Sequence, residues 1–495
     1  MNRSRRLWTV PVPVVMAAGF LLAACAGPPD IEPTAVVPSP EQIAYQRMEF
    51  IGFVHFTVNT FTDREWGYGD ESPEIFNPTA FSAEQWARVA AEAGMKELIL
   101  TAKHHDGFCL WPSAHTDHSV TASPWRDGGG DVVREFVQAC ARHGLKAGLY
   151  LSPWDRNHAD YGRPEYLEYY RNQLRELLTG YGAITEMWFD GANGGTGYYG
   201  GAREERRIDR ETYYRWPETW GLVKELQPHI LIFSDAGPDI RWIGNERGYA
   251  GRTCWSTITT AGVVVGAADT EYLNAGDPEG QQWVIPLCDT SIRPGWFYHA
   301  SQDDRVKPLA ELLEVYYRSV GRNSVLLLNV PPDQRGLWHE NDVAALREFR
   351  RVLDETFATD LVAQRPVEAD SRYHRHRRFA PGNVTDGDPD SYWAAEEGVR
   401  AASLEIDLGA PILFDRIVLQ EPIRFGQRIA AFTVQARVAG EWVTVIEETT
   451  IGYKRIVRCE PVTADRIRIA ITRSLASPAL STVGLYRASP DEMPE

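Results

Sequence analysis

Cysteine is scarce, with six in 495 residues; Cys25 stands at the end of an apolar run, leaving Cys109, Cys140, Cys254, Cys288 and Cys459. Five thiols without paired spacing argue against a disulfide framework and against a four-cysteine zinc site, so burial as small apolar side chains is expected. Positive charge is also short: 51 Lys plus Arg face 68 Asp plus Glu, a formal charge of −17. Such a surface is repelled by nucleic-acid phosphates and anionic lipid, so neither is an expected partner. There is no P-loop lysine motif, no G-x-S-x-G and no H-E-x-x-H. Gly195-Thr196-Gly197-Tyr198-Tyr199-Gly200 matches G-x-G-x-x-G, but the charged stretch at 202–210 that follows offers no helix N-terminus for a pyrophosphate. An active-site loop is expected there. Charged residues at 24% against 43% hydrophobic exclude a disordered chain.

Aromatic residues are abundant, including 16 Trp and 21 Tyr, which suits both a packed core and stacking on flat apolar ligand faces. At the N-terminus, Arg3, Arg5 and Arg6 precede an apolar run from Leu7 to Ala24 that reads as a secretion signal. The run ends Leu22-Ala23-Ala24-Cys25, resembling a bacterial lipobox. The expectation is an exported lipoprotein of the periplasm, outer membrane or cell surface. Residues 1–24 would be the signal, Cys25 the lipidated residue and 25–40 a Pro-rich tether, with the membrane contacted only through the lipid. A single transmembrane anchor is the alternative, but the run is barely long enough and contains Pro11 and Pro13.

From about 41 to 360, short apolar runs alternate with helical patterns. Strand-like segments fall at Phe50–Phe56, Leu98–Ala102, Ala147–Leu151, Ile184–Phe189, Ile230–Phe233 and Ser324–Val330. Ser82-Ala83-Glu84-Gln85 fits a capping box, and Val132, Val133, Phe136, Val137 and Cys140 recur at helical spacing before Gly144. Reactive side chains stand just past successive strands at His104-His105, Tyr150 to Pro153, Asp190 and Asp235, about one β/α unit apart. A closed (β/α)8 TIM-like barrel brings all of these to one face, whereas an open sheet unites only those near its switch point. From about 365 to 487 helical periodicity gives way to alternating strands, an all-β jelly roll or sandwich. The basic run Arg372 to Arg378 at its start reads as a solvated face.

In Glu186-Met187-Trp188-Phe189-Asp190-Gly191, a strand delivers Asp190 to the rim beside a glycine that frees the backbone to turn. A carboxylate so placed can attack an anomeric carbon, and Trp188, two residues earlier on the same face, can wall a sugar pocket. A helix-capping Asp is the plainer alternative. His104 and His105 can splay onto one ligand just beyond their strand, as hydrogen-bond donors or, with His115 and His118, as metal ligands. His55 ends the first strand, Glu65-Trp66 follows in a Gly-bounded loop, and Trp296 lies in a similar setting. For a second carboxyl the candidates are Asp235, Asp239, Glu246 and Glu271; Glu246, in the Gly-rich Gly244-Asn245-Glu246-Arg247-Gly248, is preferred.

His55-Phe56, Glu65-Trp66-Gly67, His104-His105-Asp106-Gly107, Tyr150-Leu151-Ser152-Pro153 and Trp188-Phe189-Asp190-Gly191, in this order, resemble the α-L-fucosidases of glycoside hydrolase family 29. The resemblance implies hydrolysis of terminal α-L-fucosyl linkages in fucosylated oligosaccharides or glycoconjugates by double displacement, with no cofactor required. Asp190 would be the nucleophile, and His55, Glu65, Trp66, His104, His105 and Tyr150 would contact fucose. Trp66, Trp188 and Trp296 would pack its apolar side. Glu246 would be the acid/base, in a context similar to the branch favouring α-1,3/1,4 linkages. Asn383-Val384-Thr385-Asp386-Gly387, Tyr392-Trp393 and Leu404 to Gly409 resemble discoidin-like (coagulation factor 5/8 type C) domains, many of which bind carbohydrate and some a structural calcium ion. A non-catalytic glycan-binding lipoprotein is the competing class.

Overall fold

The computed structural model describes residues 28–492, so the expected secretion signal and Cys25 lie outside the described residues. Eight parallel strands close into a barrel. They are β1 (Phe50–Val54), β2 (Glu97–Lys103), β3 (Lys146–Leu151), β4 (Glu186–Trp188), β5 (Leu231–Ser234), β6 (Ile240–Trp242), β7 (Ile285–Ser291) and β8 (Val325–Asn329). Each pairs in parallel with its sequence neighbours, and β8 returns to β1 with Phe50 beside Leu326. Two apolar layers hold the ring. Inside, Ile51, Phe53, Ile99, Tyr150, Trp188, Phe233, Leu287 and Leu327 fill the barrel. Outside, Leu98, Leu100, Leu149, Met187, Ile232 and Leu326 meet the helices. This is the period-two alternation of strands buried on both faces.

Six of these strands carry the apolar runs visible in the sequence; β6 and β7 do not. No helix separates β5 from β6: only residues 235–239 join them, so the β/α spacing that marks the earlier units vanishes here. The β7 strand holds Pro286 and turns polar at Asp289, Thr290 and Ser291, which masks it as a buried strand. Ser82 caps Ala83–Glu92 by accepting from Gln85 N (3.1 Å), but the expected reciprocal bond is replaced: the Gln85 amide bonds both main-chain groups of Trp338 (3.0 Å each). A full capping box instead opens Pro40–Gln46, between Ser39 and Gln42.

The segment at 195–206 is a two-stranded hairpin, Gly195–Gly197 against Glu204–Arg206, rather than an open loop, and no helix follows Gly200. The second domain is antiparallel, built on Val367–Ala369, Ala402–Gln420, Ile429–Val438, Glu441–Glu448, Arg455–Ser474 and Thr482–Tyr486. Leu404, Ile406 and Leu408 alternate with half-buried polar residues and pack on Ile467 and Ile469. Residues 31–39 are not a free tether. Ile31 is buried with Tyr373 and Phe379, and Thr34 N donates to Phe425 O (3.0 Å). An isoleucine in a Pro-rich run gains more from that apolar pocket than from water. The five remaining cysteines are unpaired, four of them buried. Among the described residues no helix is long and apolar enough to cross a membrane.

Candidate active site

The carboxyl ends of the strands converge as the spacing requires. Asp190 follows β4, and its carboxyl is held at both oxygens: Ala192 N donates to Oδ1 (2.6 Å) and Tyr150 OH to Oδ2 (3.1 Å). His105 Nε2 lies 3.9 Å from Oδ2. Burial pushes the Asp190 carboxyl above its ordinary value, and those two hydrogen bonds pull back in favour of the anion. Gly191 does not adopt a left-handed conformation; it is needed because a side chain there would collide with the Asp235 carboxyl.

His55, on the first residue past β1, sets its Nδ1 2.8 Å from Asn329 Oδ1, and His105 sets its Nδ1 2.7 Å from Ser152 Oγ. The His104 and His105 rings lie 4.0 Å apart, and His104 stacks over Tyr150 at 5.7 Å. All three histidines are buried. Desolvation holds them far below the usual imidazole range, His55 and His105 down to about 3, so they are neutral donors and acceptors rather than cations. Among the described residues His104 Nδ1 has no hydrogen-bond partner. His115 is not with them: it faces Glu176 at 3.7 Å, while His118 packs edge-on against Phe108. Among the described residues no group of three or more His, Cys, Asp or Glu is placed to hold a metal ion, in the barrel or in the second domain.

Trp66 stands 53% exposed at the rim, its ring edge-on to His105 (5.4 Å) and to Trp154 (5.7 Å). Glu65 ties two loops together, accepting from Trp296 N (2.8 Å) and Phe297 N (3.3 Å) and pairing with His299 Nε2 (2.6 Å). Trp296 lies 5.3 Å from the His55 ring, and its indole Nε1 donates to Glu246 Oε2 (3.3 Å). Trp188 is deeper than a wall residue, stacked face to face on Phe233 at 4.1 Å.

Glu246 lies in the loop beyond β6. The surrounding protein, and then the charges of Asp190 and Glu65, raise its proton affinity above that of an ordinary glutamate. Asp235 accepts from Gly266 N (2.8 Å) and is pushed up to about 7 by burial and by the neighbouring Asp190. Asp239 is at the other end of the barrel, paired with Lys224 at 2.7 Å, and Glu271 lies in the Thr270–Ala275 helix. Two pocket residues escaped the sequence reading. Asn329 bridges His55, Ser291 Oγ (2.9 Å) and Trp296 O (2.8 Å), and Asp289 accepts from Trp242 Nε1 (2.8 Å). Asp289 sits on a strand whose polar end resembles loop, and Asn329 is a polar residue inside an apolar run; the inward period of two is the signal that marks both.

Comparison with known proteins agrees with this layout. The alpha-L-fucosidase family pattern matches residues 39–355 and the F5/8 type C domain pattern matches 366–482. Alpha-L-fucosidase 1 of Arabidopsis thaliana is 44% identical over 92% of this chain and 88% of its own. A glycoside hydrolase 29 family member from an unknown rumen bacterium superimposes with a TM-score of 0.84 at 44% identity, covering 92% of this chain and 78% of that one. A Ruminococcus gnavus GH29 fucosidase solved in complex with fucose gives 0.83 at 32% identity, over 95% and 98% of the two chains.

Proposed function

The chain belongs to the alpha-L-fucosidase family, and from that premise we propose that it cleaves terminal α-1,3- or α-1,4-linked L-fucose from branched glycans with retention at the anomeric carbon. Asp190 attacks C1 and the glycosidic C–O bond breaks as Glu246 gives its proton to the departing oxygen. Glu246, now a carboxylate, takes a proton from water, whose oxygen displaces Asp190 and releases fucose. The observation that carries this reading is the placement of Asp190 between Tyr150 and His105, with Glu246 close enough to feel its charge. Neutral His55, His104 and His105 suit the sugar hydroxyls, and the exposed face of Trp66 suits the apolar side of the ring.

Early-time NMR of the released sugar tests the stereochemistry: α-L-fucose appears first under double displacement, and β-L-fucose first would overturn it. A panel of α-1,2, α-1,3, α-1,4 and α-1,6 fucosylated oligosaccharides tests the linkage. A non-catalytic glycan-binding role predicts no fucose release from any of them.

The likeness of Leu22-Ala23-Ala24-Cys25 to a bacterial lipobox supports lipidation at Cys25 and residence in the periplasm or at the outer membrane or cell surface. Cys25→Ser then shifts the protein from the membrane to the soluble fraction; unchanged partition would rule lipidation out.

A further inference from the structure

Asp289 is on β7, whose inward-facing residues alternate: Ile285 and Leu287 belong to the barrel interior, and Ser291 bonds Asn329 beneath the site. By that period Asp289 also points inward, one step nearer the rim than Leu287, which pairs with Trp242. Its side chain is buried, with Oδ1 accepting from Trp242 Nε1 (2.8 Å) and Oδ2 without a hydrogen-bonding partner in any other described residue. The charges that bear on it are Glu246 on the neighbouring loop and Asp190 across the barrel.

A buried carboxyl that spends only one oxygen on the protein, and that feels the charge of both reacting carboxyls, leaves a hydrogen-bonding position for a ligand. We propose that Asp289 is a further sugar-binding residue, its Oδ2 making a hydrogen bond to an oxygen of the fucosyl unit seated between Asp190 and Glu246. This rests on the site assignment above. Burial, and with it the negative charge of Asp190, holds the Asp289 carboxyl well above the usual range, which favours its protonated form with Oδ2 as the donor. Carboxyls close enough to feel one another's charge resist ionising together. With Asp190 as the anion, Asp289 offers a hydrogen bond without adding a second negative charge beside the attacking group.

Calorimetric binding of L-fucose to the full chain tests the proposal. Asp289→Asn keeps an acceptor for Trp242 and an N–H donor towards the sugar, and retains affinity within about threefold. Asp289→Ala loses the donor and weakens fucose about tenfold, equivalent to ~1.4 kcal/mol. Trp242→Phe removes only the indole bond and leaves fucose affinity near native, with thermal melts checking that each variant folds. The proposal is overturned if Asp289→Ala binds fucose within twofold of native, or if Trp242→Phe reproduces the full loss. Failure of the nucleophile assignment reads out separately, as turnover surviving in Asp190→Gly.

Discussion

At Asp190 burial and hydrogen bonding oppose each other, and the balance leaves its proton affinity raised. Because the nucleophile must be ionised, activity falls as pH drops through a value above the ordinary aspartate pKa of about 3.9. Glu246 must be protonated for the first step, and its raised affinity keeps activity up until pH exceeds the usual glutamate range. The pH–kcat/KM bell is therefore displaced to higher pH than two unperturbed carboxyls allow, and Glu246→Gln removes its alkaline limb. Glu246→Gln also lowers kcat about 10²–10⁴-fold on oligosaccharides and far less on an aryl fucoside, whose leaving group needs little protonation. Asp190→Gly lowers kcat by at least about 10³-fold, and azide restores part of it by entering the vacated space; near-native turnover would remove Asp190 from its role. The importance of Asp190, His104 and His105 was legible from their position just past apolar runs. Asp289 was hidden because a strand that turns polar reads as loop, and Asn329 because a polar side chain inside an apolar run carries no local sign of what it faces.

At the scale of single elements, the barrel floor carries a second acidic pair that the chemistry does not use. Glu97 on β2 and Glu186 on β4 face each other across β3, where Gly148 leaves room: a side chain there would come within 3.1 Å of Glu97 Oε1. Tyr45 OH donates to Glu186 Oε2 (2.6 Å), while both Glu97 oxygens and Glu186 Oε1 lack hydrogen-bond partners among the described residues. Burial raises both carboxyls far above the glutamate range, so the folded chain holds protons that the unfolded chain releases. That contribution is complete below the unfolded pKa of about 4.3 and is lost as pH rises through the raised folded values. Urea midpoints should fall between about pH 6 and about pH 9, and Glu186→Gln should flatten the fall. At the helix Ala83–Glu92, Ser82→Ala should cost about 1 kcal/mol in urea unfolding, because the main-chain N–H of Gln85 loses its side-chain acceptor.

Across the whole molecule the barrel and the β domain share a buried polar seam. Asn323 Nδ2 donates to Cys254 O (3.1 Å) and Ser256 Oγ (3.0 Å), and its Oδ1 accepts from Tyr453 N (2.7 Å). Gln427 bonds Ser256 N (2.8 Å) and Cys254 O (3.0 Å), and Val418 and Ile456 enter the barrel's outer apolar layer. Calorimetry should therefore show one cooperative transition rather than two. Asn323→Ala should lower stability by about 2 kcal/mol or more, because it strands buried main-chain groups; two separate transitions in the native chain would show that the seam carries no coupling. The linear order of residues determined the alternation of strand and helix, the strand ends that bear reactive groups, and the change to period-two β structure near residue 365, since each depends on local spacing. Only the closed ring decided which acids meet. It put Asp239 at the far end, brought Asp289 in from a strand disguised by Pro286, and joined Glu246 to Trp296, because contacts between residues tens of positions apart have no local signature.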